Sequence, residues 1–404
     1  MSSRGSKHHV STVFSQIMQF LPKSKFDQFV GQHNGDRYTK KLSSWNQLQI
    51  LLFSQATGKE SLRDIETGLS LHENKWYHLG IQTVARSTLS DANNNRSYEI
   101  YEKLFYTLLS EIQCIVGLSW DPNRKFSFEN PLYSLDATVI NLCLSVFPWA
   151  KYRTAKWACK VHVLLNNRSN IPEVISMTEW KVHEVTEAQK RECFGLASGS
   201  ILTFDRGYID YDWFHTLDEK GIFFVTRTKK NTNVFVTKNR ELMRESQRLW
   251  VRKDELVAFS SDPQMNEFWH DLRVVTFFDE EKKKEYEFIT NNLEMFPETI
   301  AEIYKHRWQI ELFFKWIKQH LKVKSFLGTS KNAVMTQIWI AMIYYLILSY
   351  IKYTNKIDSS LLVLSRIICE VFMDRVHLLH ILHIPEKNTV QLGKILDPPQ
   401  LSLL

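Results

Sequence analysis

The sequence predicts a mixed α/β protein, and changes of pattern along the chain indicate where its α and β parts lie. Residues 10–125 keep apolar side chains at i, i+3 and i+4, the spacing of helices with one buried face. From Pro131 the pattern changes to short runs rich in β-branched residues, which is typical of strands, and helical spacing returns at residues 304–318. At 404 residues with 44% hydrophobic content, the chain is long enough for two or three domains.

The first part of the chain is predicted to be helical and to contact DNA. Trp45–Phe53 has clear helical spacing after a serine, the residue type that often begins a helix. Further on, Val84–Arg96 concentrates short hydrogen-bonding side chains and two arginines, as a helix presented to DNA does. A helix start followed by a turn has the same composition, so that alternative stays open. The residues of this segment that we expect at the DNA are Arg86, Ser87 and Arg96.

Two predicted strands each carry an aspartate. Ser134–Ile140 is a short β-branched run that contains Asp136, and Ile201–Tyr208 is a second run in which Asp205 precedes a turn at Gly207. A carboxylate in such a strand is costly to bury, so it needs a metal, a cation or an opening to solvent. An aspartate that caps a turn is the structural alternative for either residue. Other strands are predicted at residues 150–154, 157–165 and 221–227, with a helix at 184–194.

A small β module is predicted between the second aspartate strand and the last helical region. Residues 228–291 contain short β-branched runs separated by charged turns. Trp250, followed by Arg252 and Lys253, has the composition of an exposed aromatic beside cations, and Trp269 is the second candidate. An ordinary buried tryptophan is the structural alternative.

The segment at residues 304–318 combines one carboxylate with three side chains that bind phosphate. At about 100° per residue, Tyr304, Arg307, Glu311 and Lys318 fall within an arc of roughly 60° along about 21 Å of a continuous helix. The apolar residues on the neighbouring arc are Ile303, Ile310, Phe314, Ile317 and Leu321. A solvated helix face with an Arg307–Glu311 pair is the structural alternative.

The spacing Tyr304-x2-Arg307-x3-Glu311-x6-Lys318 resembles the YREK signature of DDE transposases of bacterial insertion-sequence family four. The stretch from Asp205 to Tyr208 is similar to the second-aspartate motif of that family. The resemblance implies an RNase H-like mixed-sheet core with a β-rich insertion, an N-terminal helical DNA-binding domain and C-terminal helices. The domain boundaries that we predict are a helical DNA-binding domain at 1–125, the first part of the core at 126–227, the insertion at 228–291, the second part of the core with the catalytic helix at 292–352, and a C-terminal helical segment for oligomerisation at 353–404.

The resemblance also implies the chemistry of the site. Asp136, Asp205 and Glu311 would hold Mg²⁺, for which Mn²⁺ substitutes, because hard divalent ions prefer oxygen ligands. Tyr304, Arg307 and Lys318 would bind backbone phosphate, and an insertion tryptophan such as Trp250 would stack on a flipped base. The implied partners are double-stranded DNA, as terminal inverted repeats and as target, and a second copy of the chain on that DNA. The alternatives are an RNase H-like nuclease or resolvase without strand transfer and a non-catalytic DNA-binding protein.

Composition sets weaker bounds on function and location. Lys+Arg 51 against Asp+Glu 44 gives a net charge of +7, which fits nucleic acid without requiring it. Five widely spaced cysteines without a zinc pattern favour a reducing cytoplasm. The resemblance to insertion-sequence transposases implies a bacterial, nucleoid-associated protein. Ala333–Ile351 is uncharged and long enough to cross a membrane, but polar residues within it favour a buried core helix. No membrane partner is expected.

Overall fold

The structure is a computed structural model that describes most of the chain. The described residues are 11–76, 79–81, 83–116, 128–141, 158–179, 184–190, 195–229, 234–258, 272–320, 327–328 and 330–382. They form two compact units. The helical unit comprises the described residues of Met1–Gly117 and Trp316–Leu404, and the sheet unit comprises those of Leu118–Leu142 and Thr154–Lys315.

Helices occupy the N-terminal and C-terminal parts of the chain, as the sequence predicts. Ser43 accepts a hydrogen bond from the Asn46 backbone N–H at 3.1 Å and so begins α3 at the predicted place. The helices are α1 Val13–Met18, α2 Lys23–Gln32, α3 Ser44–Ala56, α4 Leu62–Leu71, α5 Glu73–Trp76, α6 Arg86–Asn95, α7 Glu99–Val116, α8 Glu184–Lys190, α9 Tyr211–Glu219, α10 Arg244–Arg248, α11 Pro297–His306, α12 Trp308–His320, α13 Lys331–Thr354, α14 Leu361–Val371 and α15 Leu378–Leu382.

The helical unit is built around α13, which contacts α3, α6, α7 and α14. Its length and composition would allow it to cross a membrane, yet 83% of its apolar window is buried inside the structure. Trp339 at its centre is 1% exposed and packs on Phe105 with ring centroids 5.2 Å apart. This burial agrees with the prediction of a core helix at Ala333–Ile351, since a buried helix is apolar all round.

The sheet unit contains a single nine-stranded sheet in the order β3-β2-β1-β4-β5-β9-β8-β7-β6. Strands β1, β2 and β3 are antiparallel, and β4 and β5 run parallel to β1. This order confirms the predicted RNase H-like core. The strands are β1 Leu132–Asn141, β2 Ala158–Asn166, β3 Ile171–Glu179, β4 Ile201–Phe204, β5 Phe223–Arg227, β6 Phe235–Asn239, β7 Val251–Ala258, β8 Leu272–Asp279 and β9 Lys284–Thr290.

The predicted β module is part of this sheet. Strand β9 pairs antiparallel with β5, and β8, β7 and β6 continue outward from it. Two strands, β3 and β7, are absent from the sequence prediction. Pro172 lies near the start of β3, which is an edge strand and therefore tolerates a residue without an N–H. The strand predicted at residues 150–154 lies outside the described residues.

Candidate active site

Asp136 and Asp205 are neighbours on adjacent parallel strands. Leu135 and Phe204 form the last pair of the parallel β1–β4 register, so Asp136 and Asp205 each directly follow a residue of that pair. Because β4 ends at Phe204, β1 loses its partner on that side at Asp136. The sequence predicts Asp136 inside a strand, and the structure places it within β1, at the point where the neighbouring strand β4 ends. Because β4 ends beside it, the Asp136 carboxylate has the opening that it needs.

The faces of the sheet follow from the alternation of side chains. Leu135 and Phe204 belong to the buried cluster on one face, so the following aspartates point to the other face. Two residues before the aspartates on that same face, Ser134 and Thr203 hydrogen-bond to each other through their hydroxyls at 3.0 Å, and both are buried. The two acids thus stand directly above a satisfied polar pair in the sheet, which fixes the strand spacing beneath them.

The turn after β4 anchors Asp205. Residues Arg206–Tyr208 form a short 3₁₀ turn, and Tyr208 is fully buried against Phe204 and Trp213. Within the described chain, the Asp205 carboxylate forms no capping hydrogen bond to this turn. The structural alternative of an aspartate that caps a turn therefore does not apply to Asp205.

Helix α11 covers the sheet face that carries the aspartates. Pro297 starts the helix, as proline commonly does at the first helical position. Ile300 and Ile303 are fully buried in the cluster that also contains Leu132, four residues before Asp136 on β1 and therefore on the same face of the sheet. Near the end of α11, the Tyr304 ring packs on Phe288 of β9 with centroids 5.0 Å apart. The helix therefore places Arg307, the residue that follows it, beside Asp136.

The predicted continuous helix from Tyr304 to Lys318 is wrong, because the helix is interrupted at Arg307. The Asn167 amide donates to the His306 carbonyl at 2.9 Å, which takes the acceptor that Ile310 would use in an uninterrupted helix. The Ile310 N–H instead bonds to the Arg307 carbonyl at 3.1 Å. The predicted apolar face is nevertheless confirmed at the residues that are described, namely Ile303, Ile310, Phe314 and Ile317, which are all buried.

Arg307 joins two of the three predicted carboxylates. Its Nη2 donates to Glu311 Oε1 at 2.6 Å, and its Nη1 lies 3.4 Å from Asp136 Oδ2. The side chains are 14%, 34% and 19% exposed for Arg307, Glu311 and Asp136 respectively. Burial lowers the pKa of Arg307, but Tyr304, Asp136 and Glu311 outweigh it and raise that pKa above its usual value. Burial also raises the pKa of Tyr304, whose phenol therefore stays protonated and can donate.

Arg227 is a site residue that the sequence did not single out. The register pairs Thr203 with Val225, so Asp205 and Arg227 occupy equivalent positions on β4 and β5. The Arg227 guanidinium stacks on the Tyr286 ring at 4.6 Å. Asp136 within β1, Asp205 directly after β4 and Arg227 at the end of β5 thus occupy successive positions across the three neighbouring strands. Arg227 is the last residue of a predicted strand, and its position beside an acid depends on a register that the sequence does not reveal.

The donor types of the site fit a hard divalent cation, since all three acids offer carboxylate oxygens. Among the described residues, no three His, Cys, Asp or Glu side chains lie close enough together to hold a metal ion. The reason is visible at Arg307, whose guanidinium lies between Asp136 and Glu311 and compensates their charge. A metal would therefore compete with this guanidinium for both carboxylates.

The other predicted DNA-contact residues differ in exposure. Lys318 is exposed and lies seven residues beyond Glu311, about 10 Å along the same face of α12. Arg86 and Ser87 are exposed in the first turn of α6. Trp250 is 37% exposed with a left-handed backbone, φ 69°, and packs on Phe278 with centroids 5.9 Å apart. Trp269 lies outside the described residues.

The placement of Arg96 corrects the expectation that it contacts DNA. The residue is 8% exposed and follows α6 at its C-terminal end. Its guanidinium donates to Gln47 Oε1 at 2.8 Å and, through Nε, to the Gly35 carbonyl at 2.9 Å. A buried guanidinium with these acceptors stabilises the helical unit, because its donors are used within the protein.

Comparisons with known proteins agree with this geometry. A family model described as a transposase DDE domain matches residues 127–347, more than half of the chain, and a domain of unknown function, DUF4372, matches residues 9–82. The chain is 30% identical over 318 residues to y4zB of Sinorhizobium fredii, described as a transposase, which covers 78% of this chain and 85% of that protein.

Two further similar proteins are described as transposases of insertion sequence elements. That of IS5377 from Geobacillus stearothermophilus is 26% identical over 69% of this chain and 70% of its own length. That of IS4SA from Synechocystis is 25% identical over 74% of this chain and 81% of its own length. A solved piggyBac transposase synaptic complex with hairpin DNA has a TM-score of 0.43 and 10% identity, covering 97% of this chain and 86% of that one. On the matched domain and the 30% identical relative, the chain belongs to the DDE transposases of bacterial insertion sequences, which cleave and transfer DNA with a divalent metal.

Proposed function

We propose that this transposase binds the terminal inverted repeats of its own element, cuts at the element ends with Mg²⁺ and joins the 3′-hydroxyl ends to target DNA. The observation that carries the proposal is the aspartate pair on β1 and β4 with Glu311 tied to Asp136 through Arg307. We also propose that the element belongs to insertion-sequence family four, on the spacing from Tyr304 to Lys318.

Asp136, Asp205 and Glu311 are proposed as the metal ligands. Magnesium, or manganese in its place, would activate the attacking oxygen and stabilise the leaving one. Each acid has a defined support: Asp136 and Asp205 stand on the Ser134–Thr203 pair, and Glu311 is in the first turn of α12. The backbone N–H of Ala137 donates to Asp136 Oδ1 at 2.7 Å and orients that carboxylate.

Arg307, Tyr304 and Lys318 are proposed to bind backbone phosphate. Arg307 has the geometry for this role because a guanidinium binds two oxygens at once, whether from carboxylates or from a phosphate. Arg307 would bind phosphate with the same guanidinium that contacts Asp136 and Glu311 here, and those two carboxylates would then be available to hold the metal. Tyr304 would donate its phenolic proton to the phosphate beside Arg307, whose Cζ lies 5.5 Å from the centroid of the Tyr304 ring. In the helical unit, Arg86 and Ser87 are proposed to contact DNA.

Trp250 is proposed as a stacking platform for a displaced base at the element end. Its ring is partly exposed, and the Arg252 guanidinium lies 5.8 Å from the ring centroid and 5.1 Å from that of Phe278. An aromatic ring beside a cation accepts any base by its π face while the cation binds the neighbouring phosphate. The protein is further proposed to act in the bacterial cytoplasm, at the nucleoid, as a homodimer assembled on DNA.

The test uses end-labelled duplex DNA that carries the terminal repeats, with a second unlabelled duplex as target. Products are resolved on a denaturing gel after incubation with Mg²⁺ or Mn²⁺. We expect cleavage at the repeat ends and longer products in which element ends are joined to target DNA. The Asp212→Ala variant is the matched control for alanine variants of the three proposed metal ligands, since Asp212 is an exposed acid on α9. Cleavage without any joined product would assign the chain to the nucleases, and the absence of cleavage in wild type would contradict the proposal.

A further inference from the structure

The loop between α2 and α3 presents an unusual exposed surface, which we call the basic loop, residues Asn34–Leu42. Arg37, Lys40 and Lys41 are all exposed in it. Tyr38, between them, is 86% exposed, more than any other large hydrophobic side chain in the described part of the chain. The Tyr38 ring is therefore accessible to a partner outside the chain, among three exposed cations.

The basic loop is rigid because the buried Arg96 holds both of its ends. Arg96 donates to the carbonyls of Gly35 and Leu42 and to Thr39 Oγ1, so one guanidinium spans the loop from behind. Its Nη2 also lies 3.3 Å from Asp36 Oδ1. The same Asp36 oxygen accepts hydrogen bonds from the backbone N–H and the hydroxyl of Ser44, at 2.7 and 2.8 Å. The loop is thus fixed to the start of α3 and to the C-terminal end of α6 before any partner arrives.

The backbone of the basic loop is held at Tyr38 in a conformation that this side chain does not favour. Tyr38 has φ 63°, in the left-handed region that residues other than glycine, asparagine and aspartate rarely occupy. The Thr39 N–H bonds to the Asp36 carbonyl at 3.0 Å and closes the turn around Tyr38. This turn directs the ring into solvent, where the Arg37 guanidinium lies 5.0 Å from its centroid. Such strain is maintained where the surrounding contacts over-determine it, which is typical of functional sites.

The charge of the basic loop is not compensated within the described chain. Asp36 is its one acid, and that carboxylate is bonded to Ser44 and Arg96. Among the described residues, none of the three cations Arg37, Lys40 and Lys41 forms an ion pair. Three exposed cations and a phenolic donor on one turn are side chains of the types that contact the phosphates of a duplex.

We propose that the basic loop is a binding site for the phosphate backbone of double-stranded DNA, with Arg37, Lys40 and Lys41 as the phosphate contacts and Tyr38 as a further donor. The proposal rests on the proposed function for the identity of the partner, but it involves a surface separate from the carboxylates. Arg96 acts as a positioning residue, since it holds the loop without reaching its outer side. The loop fixes the register of the helical unit on DNA and does not by itself read sequence.

The first experiment measures DNA binding by the full chain against salt concentration. Removing all three cations in Arg37→Ala/Lys40→Ala/Lys41→Ala should reduce the slope of log affinity against log salt by about 2.7, since each phosphate contact contributes about 0.9. The control variant is Lys25→Ala/Arg63→Ala/Arg375→Ala, which removes three exposed cations elsewhere in the helical unit and should leave the slope near that of wild type. A slope in the loop variant equal to that of the control would overturn the proposal.

The second experiment distinguishes the contribution of the Tyr38 ring to DNA binding from that of the strained backbone at residue 38. Tyr38→Ala removes the ring but keeps the strained backbone, and Tyr38→Gly removes both. We expect each variant to bind DNA about three- to tenfold more weakly, because each loses one hydrogen bond to a charged group at an exposed site. The thermal unfolding of Tyr38→Ala should be unchanged. Wild-type DNA affinity in both variants would exclude Tyr38 from the contact.

The failure of this inference is distinguishable from the failure of the proposed function. Wild-type protein that neither prefers repeat ends nor cuts them contradicts the proposed function. Wild-type protein that binds and cuts, together with a loop variant that binds DNA as tightly as wild type, contradicts the basic loop alone. Vesicles of phosphatidylcholine and phosphatidylserine form a further arm. If the loop variant loses binding to these vesicles but not to DNA, the loop contacts a lipid surface and the proposal is wrong.

Discussion

Replacing Arg307 by alanine should have opposite effects on metal binding and on DNA cleavage. In the protein without DNA, the Arg307 guanidinium lies 2.6 Å from Glu311 Oε1 and 3.4 Å from Asp136 Oδ2. A divalent ion must displace it from both carboxylates before it can bind them. Arg307→Ala removes this competitor, so Mn²⁺ should bind more tightly. The same change removes a proposed phosphate contact, so cleavage of repeat-end DNA should fall.

The size of the metal effect follows from the two ion pairs. Both are partly buried, with Arg307 14% exposed, and a pair in such a setting contributes about 1 kcal/mol after solvent screening. The 3.4 Å contact to Asp136 is the weaker of the two, because the distance lies at the limit of a hydrogen bond. Together the pairs oppose metal binding by about 1–2 kcal/mol, which corresponds to roughly 5- to 30-fold in affinity.

Calorimetric titration of the full chain with MnCl₂, in the absence of DNA, measures this change directly. The matched control is Lys315→Ala, which removes an exposed cation one turn after Glu311 on α12 and should change the affinity by less than about twofold. If Arg307→Ala binds Mn²⁺ no more tightly than Lys315→Ala, the guanidinium does not compete with metal. The assignment of Asp136 and Glu311 to one metal site would then lose its electrostatic support.

Three further predictions concern the rest of the site. Trp250→Ala should still nick the DNA but accumulate nicked product on a denaturing gel, since holding a base outside the duplex becomes about 1–3 kcal/mol more costly, and Trp269→Ala is the comparison that would show the role lies elsewhere. Arg273→Ala on β8 should lower the free energy of unfolding in urea by about 3 kcal/mol, because the buried Asp254 on β7 loses two bonds at 2.7 and 2.8 Å and keeps Arg240 at 3.7 Å; a loss below about 1 kcal/mol would contradict this. Lys318→Ala should reduce the salt slope of end binding by about 0.9, and an unchanged slope would assign Lys318 to the protein surface alone.

The two aspartate strands and the buried face of the last helix could be predicted because their signals are local. An acid inside a β-branched run stands out in the sequence whatever the fold, as at Asp136 and Asp205. Their adjacency follows once the two strands are placed parallel and in register, which the structure provides through Leu135 and Phe204. The sequence therefore indicates the candidate acids, and the sheet shows that Asp136 and Asp205 follow paired residues of adjacent strands.

The interruption at Arg307 could not be predicted, because its cause is far away in the chain. The local sequence from Tyr304 to Lys318 contains neither proline nor glycine and therefore favours an unbroken helix. The break depends on Asn167, which reaches the His306 carbonyl from the turn between β2 and β3, 139 residues earlier in the chain. A side chain that inserts into a helical hydrogen-bond ladder is a known cause of such breaks.

Arginines were the residues whose roles the sequence predicted least well. Arg86 and Arg96 stand in the same polar segment, yet Arg86 is exposed and Arg96 is buried. Composition cannot separate a guanidinium that faces DNA from one that satisfies carbonyls inside the fold, since both need acceptors. Arg227 is the opposite case, because its place beside Asp205 arises only from the β4–β5 register.

The central claim is that Asp136, Asp205 and Glu311 form one metal-dependent active site. Its most direct test is the single-turnover cleavage rate of repeat-end DNA as a function of Mn²⁺ concentration, for wild type and for each alanine variant. We expect each variant to lose about 1,000-fold or more in cleavage rate at every metal concentration while binding the ends as wild type does. If any one of the three variants cleaves at close to the wild-type rate, that carboxylate is not part of the site and the proposed metal centre is wrong.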